Sequence, residues 1–405
     1  MNEQTLIKTG PVSFWPVFSG TLFIAGSTIG AGMLGLPSVS AALGFFPALL
    51  ITLIVWLFMY ATGLLVLEAA LSMPLNANLM SISLRFLKKP GAILTFFSFL
   101  FLYYCLMVAY FASGVPIVLS FFPASAGFFL AGWKGYFLFG FGLFMVVAFG
   151  LKLINRINYI LMIGLVLSYL ALTKAGFGSV QFERLFAVNL KQWFWLVPIL
   201  FSAFGYHNVI PSLVAYYQRD RKVLHLSIFL GTLFALLVYL LWQWVVLGNI
   251  DQKIILNTAQ AGLPVTKALE SATGNPHILL FGRFFGFFAL ATSLLGVAFS
   301  MIDFLGDTFH LSRQGRSRFG LAFLTILPPF LITILKPELF LVSLGLAGGF
   351  GEALLNGILP VVLVWSGRYH GKGLKPLFFK KKGWLVALLV FGILVMLLEA
   401  YILLN

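Results

Sequence analysis

The chain is expected to be an all-α integral membrane protein of eleven spans, with spans 1 and 6 interrupted near mid-membrane. Three observations lead there. Of its 405 residues 61% are hydrophobic and 9% charged, against about 25% charged in a soluble domain. The apolar runs are continuous and reach the roughly 20 residues a helix needs to cross hydrocarbon, where a barrel strand shows about ten alternating ones. Two of the runs carry helix breakers at their centres.

In order, the spans fall at about 14–37, 44–72, 91–120, 135–151, 157–175, 193–214, 222–248, 278–306, 319–335, 338–366 and 384–404. Turn and breaker signals separate them: Met73-Pro74, Lys89-Pro90-Gly91, Phe122-Pro123, Lys336-Pro337 and Gly371-Lys372-Gly373. The longest piece outside the membrane is 249–277. The first 13 residues, with Glu3 and Lys8, read as a cytoplasmic tail rather than a cleaved signal. A single cysteine, Cys105, allows no intrachain disulfide.

The formal charge of +15 reports topology rather than nucleic acid. With the N-terminus inside, 18 of the 26 lysines and arginines fall in inner segments and 8 in outer ones. That bias follows the positive-inside rule and puts the C-terminus outside. The basic loop 367–383 can also meet anionic lipid headgroups.

Span 1 contains Gly26 to Pro37, G-S-T-I-G-A-G-M-L-G-L-P. Each glycine costs a helix roughly 1 kcal/mol against alanine and proline about 3. In lipid an unwound stretch survives where it lines a cavity, and its bare backbone groups then serve a ligand. Span 6 contains Pro198 to Pro211, P-I-L-F-S-A-F-G-Y-H-N-V-I-P. Five spans separate the two breaks, so the halves must be inverted relative to each other. Paired broken helices of this kind point to a transporter site. The expected units are 1–175 and 176–366, each of five helices, then a basic cytoplasmic loop and the eleventh helix over 367–405.

Three segments carry a family resemblance. Gly26 to Pro37 resembles the first-helix signature of the hydroxy and aromatic amino acid permeases of the amino acid–polyamine–organocation superfamily. Ser202 to Leu213 is similar to that family's sixth helix, and Ala291 to Gly306, A-T-S-L-L-G-V-A-F-S-M-I-D-F-L-G, to its eighth. Within the family the chain looks most like the bacterial tyrosine- and tryptophan-specific permeases. The resemblance implies a leucine-transporter-type 5+5 inverted repeat plus one extra C-terminal helix, a bacterial inner membrane, and proton-coupled uptake of an aromatic amino acid.

An amino acid presents a carboxylate and an ammonium that must be desolvated together, and a broken helix offers amides to one and carbonyls to the other. Gly30, Ala31 and Gly32 are the expected donors, with Ser27, Thr28 and Ile29 forming the turn. Close helix packing is the other use of such glycines. Ser202, Phe204, Gly205, Tyr206 and His207 should complete the pocket from span 6. His207 either meets substrate or proton, or bonds freed backbone. Span 3 offers Tyr103, Tyr104 and Tyr110. Tyr104, halfway across, is the candidate for the carboxylate, packing being its alternative.

Thr292 and Ser293 on span 8 stand where sodium-coupled relatives of this fold hold their ion, although such hydroxyls also bond their own helix. Glu352, near the middle of span 10 with Asn356 one turn on, can take up a proton on one side and release it on the other, or simply bond Asn356. Asp303 and Asp307 face Arg313 and Arg316 as a gate or a structural pair. Glu68 and Glu399 are placed near membrane edges, solvated or capping.

The expected activity is import of tyrosine, or next tryptophan, by proton symport with alternating access. Serine or threonine uptake, sodium coupling and a channel are the alternatives. Sparse charge near the pocket disfavours dibasic and acidic substrates. No enzyme activity, cofactor or metal is expected, since no phosphate loop, zinc spacing or nucleophile motif is present. The partners expected are the substrate, the proton (or sodium) and membrane lipid; no nucleic acid is expected, and the protein should be a monomer.

Overall fold

The glycine-rich first run divides into two helices. α1 (Phe14–Thr28) stops at Ile29, which is extended at φ −73° and ψ 110°. α2 (Gly32–Leu43) starts three residues later and leaves at 62° to α1. Every residue of α2 is buried. In the computed structural model the described residues are 13–75, 77–122, 132–149, 151–186, 188, 190–261, 263, 265–266, 268, 276–312 and 315–404. Glu3, Lys8 and Arg313 lie outside them.

α3 (Phe45–Leu71) follows, then α4 (Leu79–Leu119), which kinks at Lys88 (φ 61°) just before Pro90. α5 (Trp133–Ala148) and α6 (Leu151–Phe177) complete the first half. The sixth run also breaks. α7 (Leu196–Ala203) ends at Phe204, and a 3-10 turn over His207–Val209 leads into α8 (Ile210–Tyr216). α9 (Arg221–Asn249) is capped by Asp220, whose side chain accepts from Lys222 and Val223 amides. In the expected outer loop Asp251 caps a short helix, α10 (Gln252–Gln260).

α11 (Pro276–Thr308), α12 (Gly315–Leu335) and α15 (Lys382–Leu404) are single helices. Between the last two, the tenth run is α13 (Phe340–Leu346), a π-helical stretch over Ala347–Ile358, and α14 (Leu359–Tyr369). The π-helical stretch differs from the expected continuous α-helix. Such widening is rare and often found at functional sites.

Among the described residues, with the sixth and tenth runs each taken as one, nine helices are long and apolar enough to cross a membrane, or ten if the bent α1–α2 pair counts as one span. The expected fourth span is α5, at 16 residues. That is about 24 Å of helix, short of a bilayer core of roughly 30 Å.

α9 organises the first run. Ser227 Oγ donates to Val17 O in α1 at 3.4 Å, and Trp242 Nε1 to Met33 O in α2 at 3.0 Å. Gln243 accepts from Ser40 Oγ at 2.5 Å. One helix thus holds both halves of the broken span.

Two edge carboxylates are corrected. Glu68 is 1% exposed and pairs with Arg368, its Oε2 2.6 Å from Nη2. Gly371 and Gly373, each at φ 71°, turn the chain back over this pair. The amides of Leu377 and Phe378 then donate to Glu68 Oε2 at 2.9 and 3.0 Å. With Arg368 Nε donating to Oε1 at 2.7 Å, four hydrogen bonds from three groups replace the expected water. Glu399 is also buried, at 2% exposure, with its side chain against Gly345 and Gly349. Its neighbours are on the tenth run, which a reading along α15 alone does not reveal.

Candidate functional site

The two breaks meet across one hydroxyl. Tyr239 Oη of α9 lies 2.6 Å from the Thr28 carbonyl oxygen and 2.6 Å from that of Ala203. Its single proton can serve one of them at a time. Each carbonyl belongs to the last turn before a break, where helical partners run out.

A cavity of roughly 420 Å³ has Thr28, one end of this bridge, in its wall. Its wall draws on the α1–α2 break, α4, the α7–α8 break, α11 and the π-helical stretch. Of the residues singled out from the sequence, Ser27, Thr28, Ile29, Gly30, Gly32, Ser202, Gly205, Thr292, Ser293 and Glu352 line it. Tyr103, Tyr110, Asn208, Ser300 and Asn356 line it as well.

Several polar groups here are already engaged. The Ala31 amide donates to Ser293 Oγ at 2.8 Å, tying the first break to α11. The Ser27 and Thr28 hydroxyls return to Phe23 and Ile24 carbonyls at 2.8 and 2.7 Å. Thr292 Oγ1 bonds its own helix, at Phe288 O 2.9 Å and Ala289 O 3.1 Å. Ser202 Oγ donates to Leu344 O at 2.6 Å. Among the described residues no acceptor meets the Gly30 and Gly32 amides. Both glycines line the cavity, and the start of α2 beside them is where an anion is favoured.

Glu352 reaches the second break. It is 4% exposed, accepts from Asn356 Nδ2, and lies directly on Gly205. A methyl group added at Gly205 would sit 2.9 Å from the Glu352 carboxyl carbon. A glycine is required there by close approach rather than by its backbone angles. The sequence placed both residues at mid-membrane, but not in contact.

Four expected pocket side chains point elsewhere. Tyr104 donates from its hydroxyl to Leu324 O at 2.8 Å, on α12, and does not line the cavity. Tyr103 and Tyr110 do, because seven residues are two helical turns and keep one face, whereas Tyr104 is rotated by about 100° from Tyr103. Phe204 is fully buried on Tyr239, ring centres 5.0 Å apart. Tyr206 Oη donates to Met59 O at 3.2 Å, and His207 Nε2 lies 2.9 Å from Thr62 Oγ1, both on α3. At this irregular turn Gly205 alone of the four residues 204–207 faces the cavity. The Ala31 side chain is likewise absent from the wall, its amide being the contributing group.

The sequence reading missed Tyr239 altogether, since nothing distinguishes it among 13 tyrosines. Asn208 donates from Nδ2 to Tyr103 Oη at 3.2 Å, which links the second break to α4. Asp303 acts electrostatically on Arg318, whose Nε donates to Val147 O at 2.8 Å.

Comparison with known proteins agrees with this architecture. The profile of the tryptophan/tyrosine permease family matches residues 15–399. The tryptophan-specific transport protein of Shigella flexneri is 30% identical over 410 residues, covering 97% of this chain and 96% of its own. Tyrosine-specific transport system 2 of Haemophilus influenzae is 30% identical over 389 residues, covering 94% and 95%. The tryptophan-specific transport protein of the same organism is 28% identical over 367 residues, covering 87% and 88%. A crystal structure of the Eremococcus coleocola manganese transporter superposes with a TM-score of 0.56 over 98% of this chain and 90% of that one. At 14% identity it speaks for the fold alone. By the extent of the profile match and by these relatives, the chain belongs to the tryptophan/tyrosine permease family.

Proposed function

We propose that this protein imports an aromatic amino acid, tyrosine first and tryptophan next, by proton symport with alternating access. The observation that carries the reading is one cavity built on both helix breaks, with a buried carboxyl at its wall. The unpartnered Gly30 and Gly32 amides suit the substrate carboxylate, and the Gly26 and Ser27 carbonyls, which meet no donor among the described residues, suit its ammonium beside Glu352. Phe99, Leu102, Leu106, Val297 and Leu355 supply apolar wall for a ring. An aromatic side chain buries roughly 150–250 Å², enough to favour it over serine.

Eleven spans in a 5+5 inverted repeat fit this reading, with repeat units 1–175 and 176–366 and the basic loop and last helix over 367–405. The first, second, sixth and seventh spans would rock as one body against the third, fourth, eighth and ninth. Tyr239 sits inside the first body and ties both breaks to it. The Ala31–Ser293 bond crosses between the bodies, and Glu352 touches the moving one at Gly205. Substrate bound between them senses both. The wall residues Leu22, Phe23, Asn158 and Met162 extend the cavity towards the lysine- and arginine-rich end, which supports access from the cytoplasm. The orientation supported is N-terminus inside and C-terminus outside, in the inner membrane, as a monomer.

Uptake of labelled tyrosine, tryptophan, phenylalanine and serine into proteoliposomes, under separately imposed proton and sodium gradients, tests this. Saturable tyrosine uptake driven by the proton gradient is expected. Serine preference, a sodium requirement or unsaturable flux with large currents would each overturn the corresponding part.

A further inference from the structure

Asn356 is half used. Its Nδ2 donates to Glu352, while its Oδ1 meets no donor and the residue is 2% exposed. Buried polar atoms without a partner are uncommon in folded proteins and call for an explanation. Because Glu352 takes the amide nitrogen, the group left over is an acceptor. Asn356 lines the cavity, as do the apolar residues Leu355, Phe99, Leu102 and Leu106. Asn356 also lies one turn along the same helix from Glu352, in the direction of the lysine- and arginine-rich end. A zwitterion held at the breaks beside Glu352 would lay its ring along this wall.

We infer that Asn356 Oδ1 accepts a hydrogen bond from the substrate ring, the indole N–H or the phenol O–H, and so selects these over a bare phenyl ring. This rests on the proposed aromatic amino acid transport and adds the group that chooses within that class. A phenyl ring would bury the oxygen with no donor, whereas tyrosine or tryptophan satisfies it. Discrimination of this kind comes from the penalty of an unpaired site group more than from added attraction.

The test is exchange of labelled tryptophan in proteoliposomes, which does not depend on gradient coupling through Glu352. Competition is measured with tyrosine, phenylalanine, O-methyltyrosine, tryptophan and 1-methyltryptophan. In the wild type, phenylalanine and both methylated compounds should compete about tenfold less well than their donor-bearing counterparts. In Asn356→Leu the tyrosine-to-phenylalanine ratio should fall to about one, and tryptophan exchange should weaken while staying measurable. Equal competition by tyrosine and phenylalanine in the wild type, or an unchanged ratio in Asn356→Leu, overturns the inference. If the variant fails to insert, the wild-type series decides alone. A wild type that exchanges serine and no aromatic amino acid removes the functional proposal and this inference with it. Exchange of all aromatic compounds alike removes only the inference.

Discussion

Glu352 lies on Gly205 with no room for a side chain between them: a methyl at position 205 would stand 3.1 Å from Glu352 Oε2 and 2.9 Å from its carboxyl carbon. Gly205 belongs to the turn between α7 and α8, and Glu352 to the π-helical stretch of the tenth run. Gly205→Ala must therefore displace either the turn or the carboxyl. Uptake is expected to fall at least about tenfold, since a displacement of 1 Å at a site can cost 10²-fold. The quantity of folded protein recovered in detergent should change little. Normal uptake by Gly205→Ala would show that the contact is dispensable.

The same contact assigns distinct consequences to Glu352→Gln. The amide keeps its size and can still meet Asn356, so the cavity wall survives. A group that carries no exchangeable charge cannot couple a proton to the cycle. Accumulation against a gradient should be lost while tyrosine exchange continues. Parallel loss of both would make Glu352 part of substrate binding instead.

Tyr239→Phe removes the hydroxyl 2.6 Å from both the Thr28 and Ala203 carbonyls. The ring can keep its packing on Phe204. Leaving a buried acceptor unsatisfied costs roughly 1–3 kcal/mol. A lower thermal midpoint in detergent is expected together with reduced uptake. If only uptake falls, the hydroxyl meets substrate rather than bracing the breaks.

How far the sequence revealed this site depends on the kind of signal. Glycine density in Gly26 to Pro37 marks the first break, because backbone cost is local and adds along the chain. Depth in the membrane is similarly readable, and it put Glu352, Thr292 and Ser293 near the centre. Azimuth is not readable from depth. Tyr104 sits at a suitable height but on the α12 side, and the spacing of Tyr103 and Tyr110 was the better guide. Phe204, Tyr206 and His207 lie in an irregular turn, where no 3.6-residue period assigns faces. Glu68 resembled an edge residue because its cover, the segment around Phe378, lies 310 positions away.

The tyrosine pair on α4 gives a direct contrast. Tyr103→Phe breaks the contact with Asn208 Nδ2 at 3.2 Å inside the cavity. Tyr104→Phe removes a bond to Leu324 O outside it. The first should raise the half-saturating tyrosine concentration several-fold, about the value of one hydrogen bond. The second should leave it within about twofold. The reverse ranking would restore Tyr104 to the site.

His207 tests whether a histidine deep in the membrane must handle the substrate or the proton. Intramembrane ionisable residues carry a functional presumption, yet here Nε2 faces Thr62 Oγ1 at 2.9 Å and the ring is fully buried behind Gly205. The Tyr206 ring packs beside it at a tilt of 33°, ring centres 4.6 Å apart. The imidazole thus fastens the second break to α3. His207→Gln offers an amide of similar reach to the same hydroxyl, and uptake and its proton dependence should persist. His207→Leu leaves Thr62 its bonds to the Phe58 and Met59 carbonyls, but loosens the turn. That variant should show a lower thermal midpoint and a reduced uptake rate with an unchanged half-saturating concentration. Were both variants to lose proton-driven accumulation while keeping exchange, His207 would be a coupling group and the fastening role would be secondary.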